Sequence, residues 1–418
     1  MKITIIGGGL LGLSSAYHLI QEGHQVTIVE RQMDVGLETS FANGGLLTPS
    51  LCEPWNAPGF FFDMLRWIGR EDSPLLLRPS ALPSLFLWGL SFIRNSTRSR
   101  YQQNIFRNTR LAKYNLAVLD GMVGQIPLSD LGGGLGTIKV CRQMAELDEV
   151  QKMAEFLSPE NIKFKMLDKN QTFALEPALK PLGDKVAGGV YFPEDRFGDA
   201  HQFCTELTQY LKDNGVQFLF NTTVINIKQK GGRVCLINTE QGSLSADTFI
   251  ITAGSYSPII ASTVGVKIPV KPCKGYSLSV ELHDWAGAPK IPVIDHSLHA
   301  VVTPLGQTIR VAGTAEFAGY DDSLQEGRLQ NLFDLLCNIY PESTPYINQA
   351  TTKKWVGLRP ISASGVPIIS QTKIKNLYLN TGHGQLGWTT AAGSGKLLSD
   401  LVCGKDTDLE ISDYSLSR

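Results

Sequence analysis

The chain lacks a C-x-x-C pair: its seven cysteines, odd in number, are scattered from Cys52 to Cys403. That argues against a disulfide framework and a structural zinc site, and no metal is expected. It also lacks a charge excess, since 38 Lys and Arg face 39 Asp and Glu for a formal net charge of -1. Without a global positive field, no nucleic acid partner is expected. No apolar run approaches the roughly 20 residues that span a bilayer. The start MKITIIGGG passes straight into an apolar run and a glycine turn, so no cleaved leader is expected. These absences together suit a reducing cytoplasm. What is present is length, 418 residues, enough for two domains or one large α/β domain with an inserted partner.

KITIIGGGLLGLSSAYHLIQEGHQVTIVE reads as strand, tight turn, helix, turn, strand. Gly7 to Gly12 form a G-x-G-x-x-G turn with Leu10 and Leu11 at its variable positions. Gly7 permits the turn, Gly9 lets backbone amides approach a pyrophosphate, and Gly12 lets the helix pack against the strand. The positive end of the helix then favours the phosphate charge. Glu30 stands at the end of the second strand, where an acid accepts hydrogen bonds from both hydroxyls of an adenosine ribose. That disfavours NADP and leaves FAD or NAD. The next segment, ERQMDVGLETSFANGGLLTPS, replaces a crossover helix with a polar loop. Thr39, Ser40 and Asn43 offer short polar groups, and Gly44 and Gly45 allow backbone against a flat ring; the alternative is a surface Ω-loop.

GFFFDMLRWIGR and ALPSLFLWGLSFIRN hold large apolar clusters flanked by Arg66, Arg70, Arg78 and Arg94. They read either as helices packed in a second domain or as an interfacial patch whose arginines meet lipid phosphates. From 131 a glycine loop leads into a strand, AELDEVQKMAEFL follows as an amphipathic helix, and Asp199 caps a helix through Leu211. Several strands come next with a GG hairpin turn, ending at Thr248 to Thr252 before Ala253 and Gly254. IPVKPCKGYSLSV and HAVVTPLGQTIRVAGTAEFAG alternate as strands, the second a hairpin about Gly306. The expected fold class is α/β: a Rossmann-like FAD-binding domain with an inserted, mainly antiparallel β substrate domain carrying helices. The expected division is 1–50, 195–265 and 350–418 for the cofactor, and 51–194 and 266–349 for the substrate.

WVGLRP places Arg359 after an apolar strand, and Pro360 favours extended backbone there with a turn beyond. Such an arginine presents a planar fork to a carboxylate or lies at the surface. TGHGQLGWTT sits between the strand NLYLN and a helix rich in Ala and Gly. Gly382, Gly384 and Gly387 allow amides near a ring, and His383, alone, reads as a wall residue in preference to a base or metal ligand.

With LETSFANGG, EPWNAPG, KGYSLSV, AGTAEFAGY, WVGLRP and LYLNTGHGQLGWTTAAGSGKLLSDL in order along it, the chain resembles the FAD-dependent D-amino acid dehydrogenase family, relatives of glycine oxidase and D-amino acid oxidase. The likeness is closest at the two ends and looser between about 95 and 185. The resemblance implies non-covalent FAD, with Gly7, Gly9, Leu10, Leu11, Gly12, Glu30 and Arg31 on the ADP half and Thr39, Ser40, Asn43, Gly44, Gly45 and Leu46 along diphosphate, ribityl and flavin. Val224 would meet the adenine, with Ala253 and Gly254 nearby. Gly382, His383, Gly384, Gln385, Leu386, Gly387, Trp388 and Thr389 would close over the flavin. Arg359 would hold the substrate carboxylate, with Tyr276, Glu316 and His299 as further pocket candidates; His296 and His299 depart from the family pattern. The implied reaction is oxidative deamination of a D-amino acid to a 2-oxo acid and ammonia by hydride transfer to flavin N5. Electrons would pass to a quinone or other acceptor. D-proline or D-hydroxyproline as substrate, an oxygen-using oxidase, and a cofactor-binding scaffold without turnover are the competing readings. A peripheral contact with the inner face of the cytoplasmic membrane and a homo- or hetero-oligomer both stay open.

Overall fold

Ile3-Thr4-Ile5-Ile6, a run of β-branched residues, forms the buried part of strand Lys2–Ile6 in a computed structural model that describes residues 1–71, 73–126, 128, 136–282 and 285–417. This strand lies inside a six-stranded sheet ordered Ile368–Gln371, Leu377–Thr381, Thr248–Ile251, Lys2–Ile6, Gln25–Val29, Gln217–Leu219. All neighbours are parallel except the first pair. Strands covered on both faces need apolar side chains at successive positions, which is why ITII and FII are not alternating. Helix Leu10–Gln21 packs on one face beside helix Gly387–Cys403. A Cβ on Gly395 would lie 2.6 Å from the Ser14 carbonyl carbon, so the small residues of the last helix set how closely the two approach. The chain leaves the first strand toward Gln25–Val29 on one side and borders Thr248–Ile251 on the other. A crevice therefore opens at the carboxyl ends of these strands.

The second sheet has nine described strands. Eight run in the order Lys353–Ser362, Val270–Glu281, Thr308–Phe317, Ala300–Leu305, Val293–Asp295, Thr137–Cys141, Gly188–Phe192, Lys165–Asp168, and Leu75–Leu77 adds in parallel to Thr308–Phe317. It is antiparallel apart from that addition and the Val293–Asp295/Thr137–Cys141 pair. Helix Glu326–Ile339 covers one face through Leu329, Leu332, Phe333 and Leu336. The hairpin about Gly306 and the helices Met144–Phe156 and Ala200–Asp213 form where the sequence places them, with Asp199 accepting from the His201 and Gln202 amides at 2.8 and 3.1 Å. The glycine loop expected from 131 lies outside the described residues as far as 135; its strand follows at Thr137–Cys141.

Two expectations change. The strand around Arg359 does not end there but continues through Pro360 to Ser362, with Pro360 opposite Pro272. Proline is tolerated because Lys353–Ser362 is the edge strand of its sheet. That strand also pairs along its whole length with Val270–Glu281, so residues 353–362 are built into the antiparallel sheet although the sequence division puts them with the cofactor segments. The helix Leu82–Asn95 is split by face: Leu85, Trp88 and Phe92 are buried, while Phe86, Leu87 and Leu90 are exposed. Among the described residues no helix is long and apolar enough to cross a membrane.

Candidate active site

A cavity of about 690 Å³ lies between the two sheets. At one end are Gly7, Gly9, Leu10, Leu11, Glu30 and Arg31. Gly7 adopts φ +114°, and a Cβ there would lie 2.8 Å from the Thr252 carbonyl oxygen. Gly9, the residue before helix Leu10–Gln21, offers no side-chain cap; of the first amides, that of Leu10 donates to Ser40 Oγ at 3.2 Å. A helix N-terminus left open to a cavity is an anion site. Glu30 accepts the Gly8 amide at 2.7 Å and the Gln32 amide at 2.8 Å, each on a different oxygen. Burial raises its pKa, and the Gln32 and Gly8 amides oppose that. The Arg31 guanidinium stacks 3.8 Å from the Tyr256 ring centroid and pairs with Glu38. Val224, Ala253 and Gly254 line the same end.

The middle of the cavity is lined by Thr39, Ser40, Asn43, Gly44, Gly45 and Leu46. Three side chains of the antiparallel sheet hold successive carbonyls of this loop: Ser277 on Ala42 at 2.6 Å, Arg310 on Asn43 at 2.9 Å, Thr303 on Gly44 at 2.7 Å. Gly45 takes φ +72°, a left-handed conformation that glycine adopts without a Cβ clash. Thr389 Oγ1 donates to the Leu46 carbonyl at 3.2 Å and the Trp388 indole to the Gly198 carbonyl at 3.3 Å. His383, Gly384, Gln385, Leu386, Gly387, Trp388 and Thr389 thus face the loop across the cavity. Helix Gly387–Cys403 likewise begins with no side-chain cap. His383 Nε2 pairs with Ser394 Oγ at 2.9 Å. Burial pushes its pKa down to about 3, against a backbone contact with Thr381, so this imidazole is neutral.

At the far end stands Arg359. Its guanidinium lies across Gly275 of the neighbouring strand, where any Cβ would overlap it. Nη1 approaches the Thr314 carbonyl at 3.5 Å, and the Trp55 ring centroid is 6.0 Å from Cζ. No described carboxylate pairs with it; burial lowers its pKa from the ordinary value and the Cys273 side chain partly opposes this. Thr314 is the extra residue of a bulge, since Gly275 pairs with Ala315 and Tyr276 with Gly313. It holds φ +53°, unusual for a β-branched residue.

Of the expected site residues, three do not line the cavity. Gly12 is packed behind it, where a Cβ would run into the Gly7 carbonyl oxygen. Gly382, at φ +79°, turns the chain against Val270 and Ser362. Glu316 is fully buried behind Tyr276, accepting from its hydroxyl at 2.7 Å and from Arg78 Nε at 2.6 Å. Burial and Glu316 together raise the Tyr276 pKa. His299 does line the cavity, exposed at φ +49°; burial, then His296 and Lys139, lower its pKa. No group of three or more potential metal ligands occurs among the described residues. Sequence reasoning missed Thr48, Trp55, Phe60, Trp67, Leu75, Thr314 and Trp355 in the lining. Only the aromatic richness of 55–67 signalled any of them.

The residues present fit a flavin dinucleotide: two helix N-termini whose own cap residues make no side-chain hydrogen bond, glycine backbone at the turn and loop, and a ribose-type acid line one cavity. The model of the family described as FAD dependent oxidoreductase matches residues 2–401. A D-amino acid dehydrogenase of Xanthobacter autotrophicus is 38% identical over 419 residues, covering 100% of this chain and 99% of the relative. That of Vibrio atlanticus is 37% identical over 418 residues, covering 100% of both. Among solved structures, glycine oxidase from Bacillus cereus superposes with a TM-score of 0.76 at 21% identity, covering 100% and 98% of the two chains. L-proline dehydrogenase from P. horikoshii gives 0.78 at 16%, covering 100% and 97%. At such identities the superpositions speak for the fold.

Proposed function

The chain belongs to the FAD-dependent oxidoreductase family, and on that premise we propose that it oxidatively deaminates D-amino acids to 2-oxo acids and ammonia, as the names of its full-length relatives suggest. The observation that carries the reading is Arg359, a half-buried guanidinium that lines the cavity and has no carboxylate partner among the described residues. Such a cation in a low-dielectric site binds a carboxylate by two charge-assisted hydrogen bonds. FAD, when bound, would supply the two-electron acceptor for the hydride of the substrate α-carbon.

The chain's residues do the rest by binding and orientation. The Gly9 amide and the helix it opens would hold the diphosphate, Glu30 the ribose, and the 39–46 loop with 383–389 the ring. Arg359 fixes the carboxylate, so the α-carbon has a single position relative to the ring. No side chain has to remove a carbon-bound proton. The neutral His383 keeps charge out of the wall. The substrate amine must be neutral for its lone pair to support the forming C=N bond, so kcat/KM rises with pH until a second group limits it. Mixing the holoenzyme anaerobically with D- and L-amino acids tests the reading: the D-forms bleach the flavin absorbance and the L-forms do not. Flavin that stays oxidised with every D-amino acid refutes it. The rate at which oxygen restores the reduced flavin separates a dehydrogenase, the reading favoured here, from an oxidase.

The acceptor in this reading is a membrane quinone, reached from the inner face of the cytoplasmic membrane. Its support is the exposed face of helix Leu82–Asn95, with Phe86, Leu87 and Leu90 outward, next to Arg94, Arg98 and Arg100 in a stretch from 73 to 119 without Asp or Glu; Arg78, Arg107 and Arg110 of that stretch pair with carboxylates elsewhere in the chain. Apolar anchors beside cations suit an anionic lipid surface. Co-sedimentation with anionic vesicles should drop several-fold in Phe86→Ser/Leu87→Ser; unchanged sedimentation removes this face from the proposal.

A further inference from the structure

Beyond the carboxylate, the Arg359 end of the cavity has a wall of its own. Trp55 stands beside the guanidinium. Phe60 and Trp67 meet edge to face, ring centroids 5.6 Å apart. Leu75 pairs with Ala315, whose amide donates to the Pro74 carbonyl at 2.8 Å, one residue after the Thr314 bulge that faces Arg359. Trp55, Phe60, Trp67 and Leu75 belong to one apolar cluster and all line the cavity. Among the described residues the Asp, Glu, Lys and Arg side chains that line the cavity besides Arg359 are Glu30, Arg31 and Glu38, of which Arg31 is already paired with Glu38, and the two lining histidines, His299 and His383, both have lowered pKa values. A charged substrate side chain would therefore lose water at the aromatic wall and meet no Asp, Glu, Lys or Arg partner there among the described residues. A large apolar or aromatic one would exchange water for ring faces and edges.

We propose that Trp55, Phe60, Trp67 and Leu75 form the side-chain subsite of this enzyme and select D-amino acids with bulky neutral apolar side chains, such as D-phenylalanine, D-tryptophan, D-leucine and D-methionine. The inference rests on the D-amino acid reading and adds the substrate class to it. Trp55 also bounds the space open to the carboxylate-bound end, so side-chain size and carboxylate binding are read side by side.

The test uses the holoenzyme. With an artificial electron acceptor, kcat/KM for D-phenylalanine should exceed that for D-alanine by at least about tenfold, and D-glutamate and D-lysine should fall below D-alanine. A best substrate that is small, charged or D-proline overturns the proposal. A second measurement needs no turnover: the shift of the bound flavin spectrum is titrated with benzoate and with acetate. Benzoate should bind at least about tenfold more tightly, and Trp67→Ala should reduce that ratio by about tenfold; equal ratios in the two proteins overturn the assignment of the wall. If no D-amino acid bleaches the flavin, the underlying reaction is wrong, while the benzoate-to-acetate ratio still decides whether the aromatic wall receives the group attached to the carboxylate.

Discussion

Around Gly7 and Glu30 the cavity is lined by backbone: one glycine turn, the helix end it opens, and an acid one strand away, all within about thirty residues of sequence. Around Arg359 it is lined by side chains drawn from residues 55, 60, 67, 75, 276, 314, 355 and 359. The first end belongs to a parallel sheet, where a ligand meets strand ends. The second lies over the face of an antiparallel sheet, where alternate side chains project toward the ligand. A backbone site tolerates many side chains but no wrong Cβ. A side-chain site tolerates backbone adjustment but depends on each group it presents.

The sharpest way to break this contrast is Gly12→Ala. Its Cβ would collide with the Gly7 carbonyl oxygen, so the variant should retain no FAD, measured as flavin absorbance per folded protein; a normally yellow Gly12→Ala protein would mean that the turn is not the backbone site described. Arg359→Leu should do the reverse, keeping FAD and losing roughly a thousandfold in kcat/KM for D-amino acids; unaltered kinetics would remove Arg359 from the carboxylate. Gly275→Ala sits between the two cases, since a missing Cβ here serves a side chain, the Arg359 guanidinium. Raised KM of about tenfold with kcat less affected is expected, read from steady-state kinetics. Glu30→Gln should weaken FAD binding about tenfold by exchanging a carboxylate on the Gly8 amide for a neutral acceptor, as measured by titrating apoprotein with FAD.

The smallest effect on activity is expected at the seam of the two regions. Asp195 is buried, accepting from Ser50 Oγ at 2.5 Å and Thr137 Oγ1 at 2.7 Å, and so ties the segment after the 39–46 loop to the antiparallel sheet. Burial raises its pKa from 3.8 to about 7, opposed by Ser50 and Thr137. Between these values the folded protein keeps a proton that the unfolded chain releases, so this group makes stability fall as pH rises from about 4 to about 7. Asp195→Asn should remove that slope, at most about 1.4 kcal/mol per pH unit, in denaturant unfolding followed across this range. A slope unchanged by the substitution would mean that Asp195 titrates as it does in water.

Legibility followed the same divide. The turn from Gly7 to Gly12, Glu30, the 39–46 loop and the 383–389 segment could be read because each is a short run in which local geometry demands particular residues. Arg359 could be read as a candidate because Pro360 restricts its backbone, yet its place within a continuing edge strand was decided by pairing with Val270–Glu281. Glu316 illustrates the converse: one strand contains both it and Thr314, and the bulge at Thr314 sets which of the two faces the cavity. A register shift of one residue reverses the faces of a strand, and nothing in AGTAEF announces it.

By itself the sequence determined that a dinucleotide turn opens a parallel sheet and that a second glycine segment at the far end of the chain joins the same site. Those properties come from glycine's missing Cβ and from apolar periodicity, both local. Only the tertiary structure decided that Trp55, Phe60, Trp67 and Leu75 line one cavity with Arg359, that Glu316 lies behind Tyr276, and that Ser277, Thr303 and Arg310 hold the loop at 42–44 by its carbonyls. These contacts join residues tens to hundreds of positions apart, and their geometry is set by strand pairing and sheet packing, which no short stretch of sequence encodes.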